Sequence, residues 1–390
     1  MKARAATCDI AVVGAGTSGV VAALAAARQG ARVALVEATD RIGGLAIHGL
    51  HRFVCGLFLS GGTRPVELLP GETTIDFCRR LAGGDPAELA IRRGRVWLLP
   101  FASGAALEAC ASELVAHEPN IRLHLRDRAV RTVRDGDRLA EIELASGTIL
   151  KAKAAIDCTG SAVLCRLAGA QVDWPVHPAL AGYGFEVADI DESMSGPLGL
   201  SVAVPYFLRQ EAAAGRLAAH LAYTTWEPSV VPGQGFIKLA LPEAAGARAR
   251  DQADAVWRVL GKSPAFARAR ILRYLAAPLA RETGHVRGEY VLMEDDVLSA
   301  RDFPDAVVRN AWPIELWEEG RGVTYRYLPD GQTHGIPLRC MLPNSGPANL
   351  LCAGTAISAE PAAAAAIRVM GVCMALGEAA ARHCICDIGA

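Results

Sequence analysis

The chain has 390 residues, 52% of them hydrophobic, with 40 Lys and Arg set against 41 Asp and Glu for a formal charge of −1. That length suits two domains, and the balanced charge leaves no positive field to gather nucleic acid or anionic lipid, so the expected partner is a small-molecule substrate. Met1-Lys2-Ala3-Arg4 leads into polar Thr7-Cys8-Asp9, no uncharged apolar run reaches membrane-spanning length, and the eleven cysteines form no CxxC pair; a cytoplasmic protein without a membrane span, disulfide framework, zinc ribbon or other metal site is expected.

Ile10 to Val13 is a short β-branched run ending in Gly14-Ala15-Gly16-Thr17-Ser18-Gly19. Ser18 to Gln29 then reads as an Ala-rich helix stopped by Gly30, and Arg32 to Val36 as a second buried strand with Glu37 at its carboxyl end. This is the context in which a GxGxxG motif means dinucleotide binding. Gly14, Gly16 and Gly19 let a pyrophosphate approach the helix N-terminus at Thr17 and Ser18, while Glu37 accepts hydrogen bonds from the adenosine ribose. Glu37 in place of an Arg argues against a 2′-phosphate. The unit alone does not separate FAD from NAD, but Arg41-Ile42-Gly43-Gly44 follows directly, and a Gly pair there lets the chain pass beside the diphosphate and ribityl region of the longer ligand, FAD.

Leu69-Pro70-Gly71-Glu72 and Gly83-Gly84-Asp85-Pro86 break the strand–helix alternation, which places residues 61–109 outside the nucleotide domain. Ala129 to Arg134, Leu139 to Leu144 and Thr148 to Ile156 read as a three-stranded meander with turns at Asp135-Gly136-Asp137 and Ser146-Gly147, ending in Asp157-Cys158-Thr159-Gly160. From 171 to 334 the βαβ rhythm is lost, with helical patterns at 251–260 and 263–276. Asn349 to Ala353 reads as the last strand of the nucleotide domain, and 361–382 as an Ala-rich helix with Pro361 in its first turn. The expected fold is α/β: a Rossmann-type FAD-binding domain, a parallel sheet plus three-stranded meander, built from 1–60, 110–170 and 335–390. An interleaved α+β substrate domain is expected from 61–109 and 171–334.

The meander and its small-Thr-Gly ending resemble those of the glutathione-reductase-type FAD-binding proteins. The closer resemblance is to the FAD-dependent oxidoreductase family, whose members are mostly uncharacterised bacterial proteins. Asp157 to Gly160 with Ala168-Gly169-Ala170 carries it, as do Arg281-Glu282-Thr283 through Gly288 to Val297, and Gly335-Ile336-Pro337 through Asn349–Gly354 to Arg368-Val369-Met370. The resemblance implies FAD as cofactor, with Val130, Thr159, Gly160, Gly354 and Thr355 among its contacts beside Gly14, Gly16, Thr17, Ser18, Gly19, Glu37, Arg41, Gly43 and Gly44. It also implies that the C-terminal helix points its N-terminus at the pyrimidine end of the flavin. The Gly-Asp that many relatives place on the ribityl chain is missing after Gly354, and Thr355 is the substitute.

In folds of this type the chain after the Gly pair runs beside the flavin, which makes His48, His51, Arg52 and Cys55 the candidates for catalysis. Either His would serve as the base, against the alternative of a satisfied polar loop. His48 is also the candidate for covalent attachment of FAD, with noncovalent binding preferred. Cys55 is a candidate for a flavin adduct or a small buried hydrophobe. Arg281, with Glu282 and His285, reads as an active-site wall or a surface ion pair; Glu294-Asp295-Asp296 as a helix N-terminus in preference to a metal site. Arg339, with His334 and Cys340, is placed on the flavin's substrate side, to hold an anionic substrate or the flavin's pyrimidine oxygens. The expected activity is removal of a hydride from a small organic substrate at a C–N or C–O bond, with oxygen or another acceptor taking the electrons. The alternatives are a flavin monooxygenase, an NAD-consuming thiazole synthase-like protein and a nucleotide-binding protein without chemistry. Oligomeric state is not encoded in any motif.

Overall fold

The computed structural model describes residues 4–49, 51–64, 66–176, 180–196, 199–242 and 246–389. The leading residues Met1 to Ala3, and Leu50 within the candidate catalytic segment, lie outside that description. Chain order runs β1 (Arg4–Val13), α1 (Thr17–Arg28), β2 (Val33–Val36), α2 (Leu45–His48), β3 (Phe53–Val54), α3 (Glu72–Ala82), α4 (Pro86–Leu89), β4 (Ile91–Arg93), β5 (Val96–Pro100), α5 (Gly104–Ala116), β6 (Ile121–His124), β7 (Ala129–Asp135), β8 (Arg138–Leu144), β9 (Thr148–Asp157) and α6 (Val163–Leu167). It continues through β10 (Val172–Asp173), β11 (Ala181–Ala188), α7 (Leu200–Ala213), β12 (Thr225–Pro228), β13 (Gly235–Leu241), α8 (Ala249–Leu260), β14 (Arg270–Tyr274), β15 (His285–Val286) and α9 (Glu294–Leu298). The last part holds β16 (Ala306–Asn310), β17 (Ile314–Glu318), β18 (Gly322–Arg326), β19 (His334–Pro337), β20 (Leu350–Cys352), α10 (Pro361–Ile367) and α11 (Met370–Gly389).

A seven-stranded sheet organises the chain's two ends, in the order β6-β2-β1-β9-β8-β7 with β20 also on β9. β6, β2, β1, β9 and β20 are parallel, as buried β-branched strands joined by helical crossovers should be. On the edge away from β1, β9 serves two neighbours: Ile149 to Lys151 pair antiparallel with β8 of the meander, while Ala155 to Asp157 pair parallel with β20. The expected meander strands are all present. A second, antiparallel sheet runs β12-β13-β11-β14 and has its own core, which includes Phe185, Trp226, Phe236 and Phe266.

Two expectations change. The 361–382 helix is two helices, α10 and α11, meeting at a 90° bend, where the Gly371 N–H donates to Cys55 O at 2.8 Å and the Arg368 guanidinium bonds carbonyls outside both helices. Residues 263–276 form a 3-10 turn at Pro264–Phe266 and then β14, since pairing with β11 outweighs a weak helical pattern. Within residues 61–109, Phe77, Cys78 and Leu81 of α3 and Leu107 of α5 share one core with β1 and α1, while Val96 and Leu98 of β5 pack with Trp312. Glu378 of α11 holds α3 there, accepting from Thr73 N at 3.3 Å, Thr74 N at 3.0 Å and Thr74 Oγ1 at 2.8 Å where the Gly71 cap has no side chain. No single helix among the described residues is long and apolar enough to cross a membrane. All eleven cysteines are unpaired.

Candidate functional site

The loop between β1 and α1 is built by backbone proximity. A Cβ on Gly14 (φ +100°) would lie 2.4 Å from the Cys158 carbonyl oxygen, and one on Gly19 would lie 1.9 Å from the Gly14 oxygen, so the turn folds only with glycine. Gly16 caps α1 without a side chain, which leaves the first-turn N–H groups of this twelve-residue helix pointing out unanswered. Gly44 (φ +56°) passes so close that a Cβ there would stand 2.9 Å from the Gly16 Cα; Gly43 bridges Gly16, its N–H donating to Ala15 O at 2.8 Å. These residues form a bare backbone cradle at a helix N-terminus, the shape and charge that a pyrophosphate needs.

Glu37 sits at the end of β2 and orders the same loop: its carboxylate accepts from Ala15 N and from Thr39 N and Oγ1, each at 2.9 Å. A carboxylate with these bonds retains lone pairs for ribose hydroxyls. Other expected contacts are modified. Ser18 Oγ faces Cys158 Sγ at 3.8 Å, so Ser18 offers the cradle its backbone. Arg41 is not free for phosphate, being paired with Glu108 through two nitrogens. Thr159 Oγ1 donates to Asp157 and accepts from Val163 N, and Thr355 Oγ1 donates to Gly160 O at 3.1 Å. Both threonines therefore shape the turn around Gly160 (φ +76°), which Thr283 also clasps, and Gly354 (φ +81°) packs on Ser18. Val130 is 40% exposed on β7.

The segment after the Gly pair divides. His48 is exposed at the end of α2, with Glu108 as its electrostatic neighbour. Arg52, expected at the chemistry, is a structural ion: 5% exposed, it pairs with Glu186 of β11, which Arg273 also holds, and donates to Ala102 O at 3.0 Å. Buried in this pairing, its guanidinium ties the segment to β11 and does not face the group of His51. Cys55 packs with Phe53, Val96, Leu98, Trp312 and Val369, and burial with Glu315 and Glu227 nearby pushes its thiol well up, so it is no thiolate nucleophile. Its carbonyl accepts from Gly371 N at 2.8 Å, which seats this segment on the N-terminus of α11.

His51 turns the other way. Its ring is open to solvent, yet burial is the main cause that lowers its pKa to about 4, helped by Lys238 and Arg281. Tyr325 behaves alike: 42% exposed, with its phenol pushed well up by burial. From accessible surface in such crowded, charged surroundings we infer a cavity between the two rings. Around it stand residues from distant segments: Glu227 (β12), Lys238 (β13), Arg281, Glu315 and Trp317 (β17), Tyr325 (β18) and Arg368 at the α10–α11 bend. Lys238 and Arg281 lie over the Trp317 ring, 4.8 and 4.0 Å from its centroid. Burial opposes the Glu227 charge, but Lys238, His51 and Arg93 hold its carboxyl below the usual range. Burial and neighbouring Arg368 lower Arg281 to about 9, still cationic at neutral pH.

Of the expected catalytic residues, then, the fold brings together His51, Arg281 and the inert Cys55. Arg339 goes elsewhere, forked onto Asp305 at 2.8 and 3.1 Å over the Tyr290 ring. His334 and Cys340 are core residues, His334 Nε2 lying 3.0 Å from Asn310 Nδ2. His285 Nδ1 contacts Ile357 O at 2.9 Å, and Glu294 to Asp296 open α9, where Asp296 accepts from Met293 N. Glu227, Lys238, Glu315, Trp317, Tyr325 and Arg368 were not picked out by sequence; the one signal was Arg368, inside a family-like stretch.

The sequence model described as FAD dependent oxidoreductase matches residues 9–181 and 201–388 of the chain. Among solved structures, p-nitrophenol 4-monooxygenase PnpA from Pseudomonas putida DLL-E4 is similar at a TM-score of 0.50 and 14% identity, over 98% of this chain and 81% of that one. GidA from Aquifex aeolicus is similar at a TM-score of 0.50 and 12% identity, over 99% of this chain and 64% of that one. At these identities the likeness shows the fold.

Proposed function

This chain belongs to the FAD-dependent oxidoreductase family, and from that premise we propose that it oxidises a small organic substrate at a C–N or C–O bond in the cavity lined by His51 and Arg281. FAD, when bound, supplies the two-electron acceptor for the hydride that leaves carbon. The cradle of Gly14, Gly16, Gly43 and Gly44, with the open N-terminus of α1 and Glu37, would hold its pyrophosphate and ribose. The observation that carries the proposal is the gathering of His51, Glu227, Lys238 and Arg281 from separate segments, with Lys238 on Glu227 and both cations over the Trp317 ring. Loss of hydride from carbon leaves a proton on the amine or hydroxyl, and a neutral ring accepts it, whereas an imidazolium would not. Glu227 stands by to stabilise the imidazolium that results.

The test is anaerobic mixing of the FAD-loaded protein with panels of amines, amino acids, alcohols and hydroxy acids. Bleaching of the flavin absorbance by a member of these panels without any nicotinamide supports the reading. Bleaching by NADPH alone, followed by oxygen uptake, would replace it with the monooxygenase chemistry that the name of PnpA carries.

A further inference from the structure

The cavity holds more positive than negative charge. Lys238, Arg281 and Arg368 face Glu227 and Glu315, and counting Arg93 and Glu282, which act from the margin, leaves the excess unchanged. Lys238 is paired with Glu227 at 3.5 Å, and Glu315 accepts from Trp317 Nε1 at 2.7 Å. The two arginines have no carboxylate at ion-pairing distance among the described residues. They hold backbone instead: Arg281 Nη1 donates to Leu180 O, Arg368 Nη1 to Arg281 O at 3.3 Å, and Arg368 Nη2 to Glu315 O at 2.8 Å. Arg281 Nη2 is buried with no acceptor among the described residues.

Two neighbouring guanidiniums taken out of water repel each other and lose hydration, and backbone carbonyls return only part of that loss. Such a pair persists where an outside anion completes it. Their placement is also fixed: Trp317 flanks one face of Arg281, whose Nη2 is left to donate to an oxyanion, and Arg368, held on two carbonyls, stands beside it as a second fixed positive charge. We propose that the substrate is a small carboxylate bearing the amine or alcohol that is oxidised, an amino or hydroxy acid, with its carboxylate answered by Arg281 and Arg368. This rests on the cavity being the oxidation site proposed above.

The experiment titrates the FAD-loaded protein with benzoate and acetate, and in parallel with benzamide and acetamide, following the visible flavin spectrum. The carboxylates should perturb the spectrum saturably and the neutral amides should not. Arg281→Met and Arg368→Met should each weaken carboxylate binding on the order of 10- to 100-fold, the scale of one lost charged hydrogen bond. Should either methionine variant lose its flavin, Arg281→Lys and Arg368→Lys carry the test, with a smaller loss because the charge stays and the planar fork goes. Equal binding of acids and amides, or yellow protein whose spectrum no carboxylate perturbs, would overturn the inference while leaving the oxidoreductase reading intact; in the second case the arginines answer the flavin itself. Failure to take up FAD would overturn both.

Discussion

Arg52 and Glu186 are 5% and 6% exposed, and they tie the segment after α2 to β11 of the antiparallel sheet. Removing one partner strands the other's charge, so Glu186→Ala should cost about 3–5 kcal/mol in a denaturant melt, and the double variant Arg52→Met/Glu186→Met should recover much of it. A single-variant cost near zero would show that the pair is not buried in solution. At His51 the prediction is kinetic. His51→Gln should slow flavin reduction at saturating substrate by roughly 10²- to 10⁴-fold, the usual worth of a positioned base, and His48→Ala should leave it within a few-fold. The reverse pattern would move the chemistry to α2. His334, 0% exposed, gives the pH dependence: burial lowers its pKa to about 4 from the ordinary 6.5. The unfolded chain then binds the extra proton between those values, so this stability is fully present above pH 6.5 and falls toward pH 4 by about 1.4 kcal/mol per unit. His334→Leu should flatten that slope in melts across the range, and an unchanged slope would assign it to other groups. The glycines and Glu37 were legible because their demands are local. The cavity residues were not, because Glu227, Lys238, Glu315 and Tyr325 meet only after two separate strand pairs form and come together.

At the scale of elements, α1 and α11 cross almost backbone to backbone. A Cβ on Gly377 would stand 2.1 Å from the Ser18 carbonyl oxygen, in the first turn of the helix that forms the cradle. Gly377→Val should therefore cost several kcal/mol in stability and weaken FAD binding together, since no flexible side chain is there to yield. Normal stability with normal FAD affinity would show that the helices separate easily. The Gly14–Glu37 unit was readable as strand, turn, helix and strand because each step has its own local signal. The break between α10 and α11 was not: Pro361 and the following alanines favour one continuous helix, and the hydrogen bonds that Arg368 makes at the break reach residues 53 and 87 positions away. β14 was misread for the same reason, its neighbour β11 being some eighty residues earlier.

At the scale of the molecule, the parallel sheet and its meander present the cradle at the carboxyl ends of β1 and β2, where open α/β sheets bind ligands. The antiparallel sheet and the β17–β18 hairpin bring the ionic cavity against the N-terminus of α11. We propose a division of the chain in which residues 183–275, with their separate aromatic core, form the substrate layer, while α3 and α5 remain with the nucleotide sheet. The sequence reading located the nucleotide unit by its rhythm but assigned 61–109 by the absence of rhythm, and that absence says nothing about which core a segment joins. Everything proposed for the cavity depends on FAD lying noncovalently in the cradle. The most direct measurement is acid precipitation of the purified protein, with visible spectra of both fractions and the mass of the released nucleotide. A yellow supernatant containing FAD is the expected result; a yellow pellet, or a colourless protein that releases NAD or takes up no FAD, would contradict it.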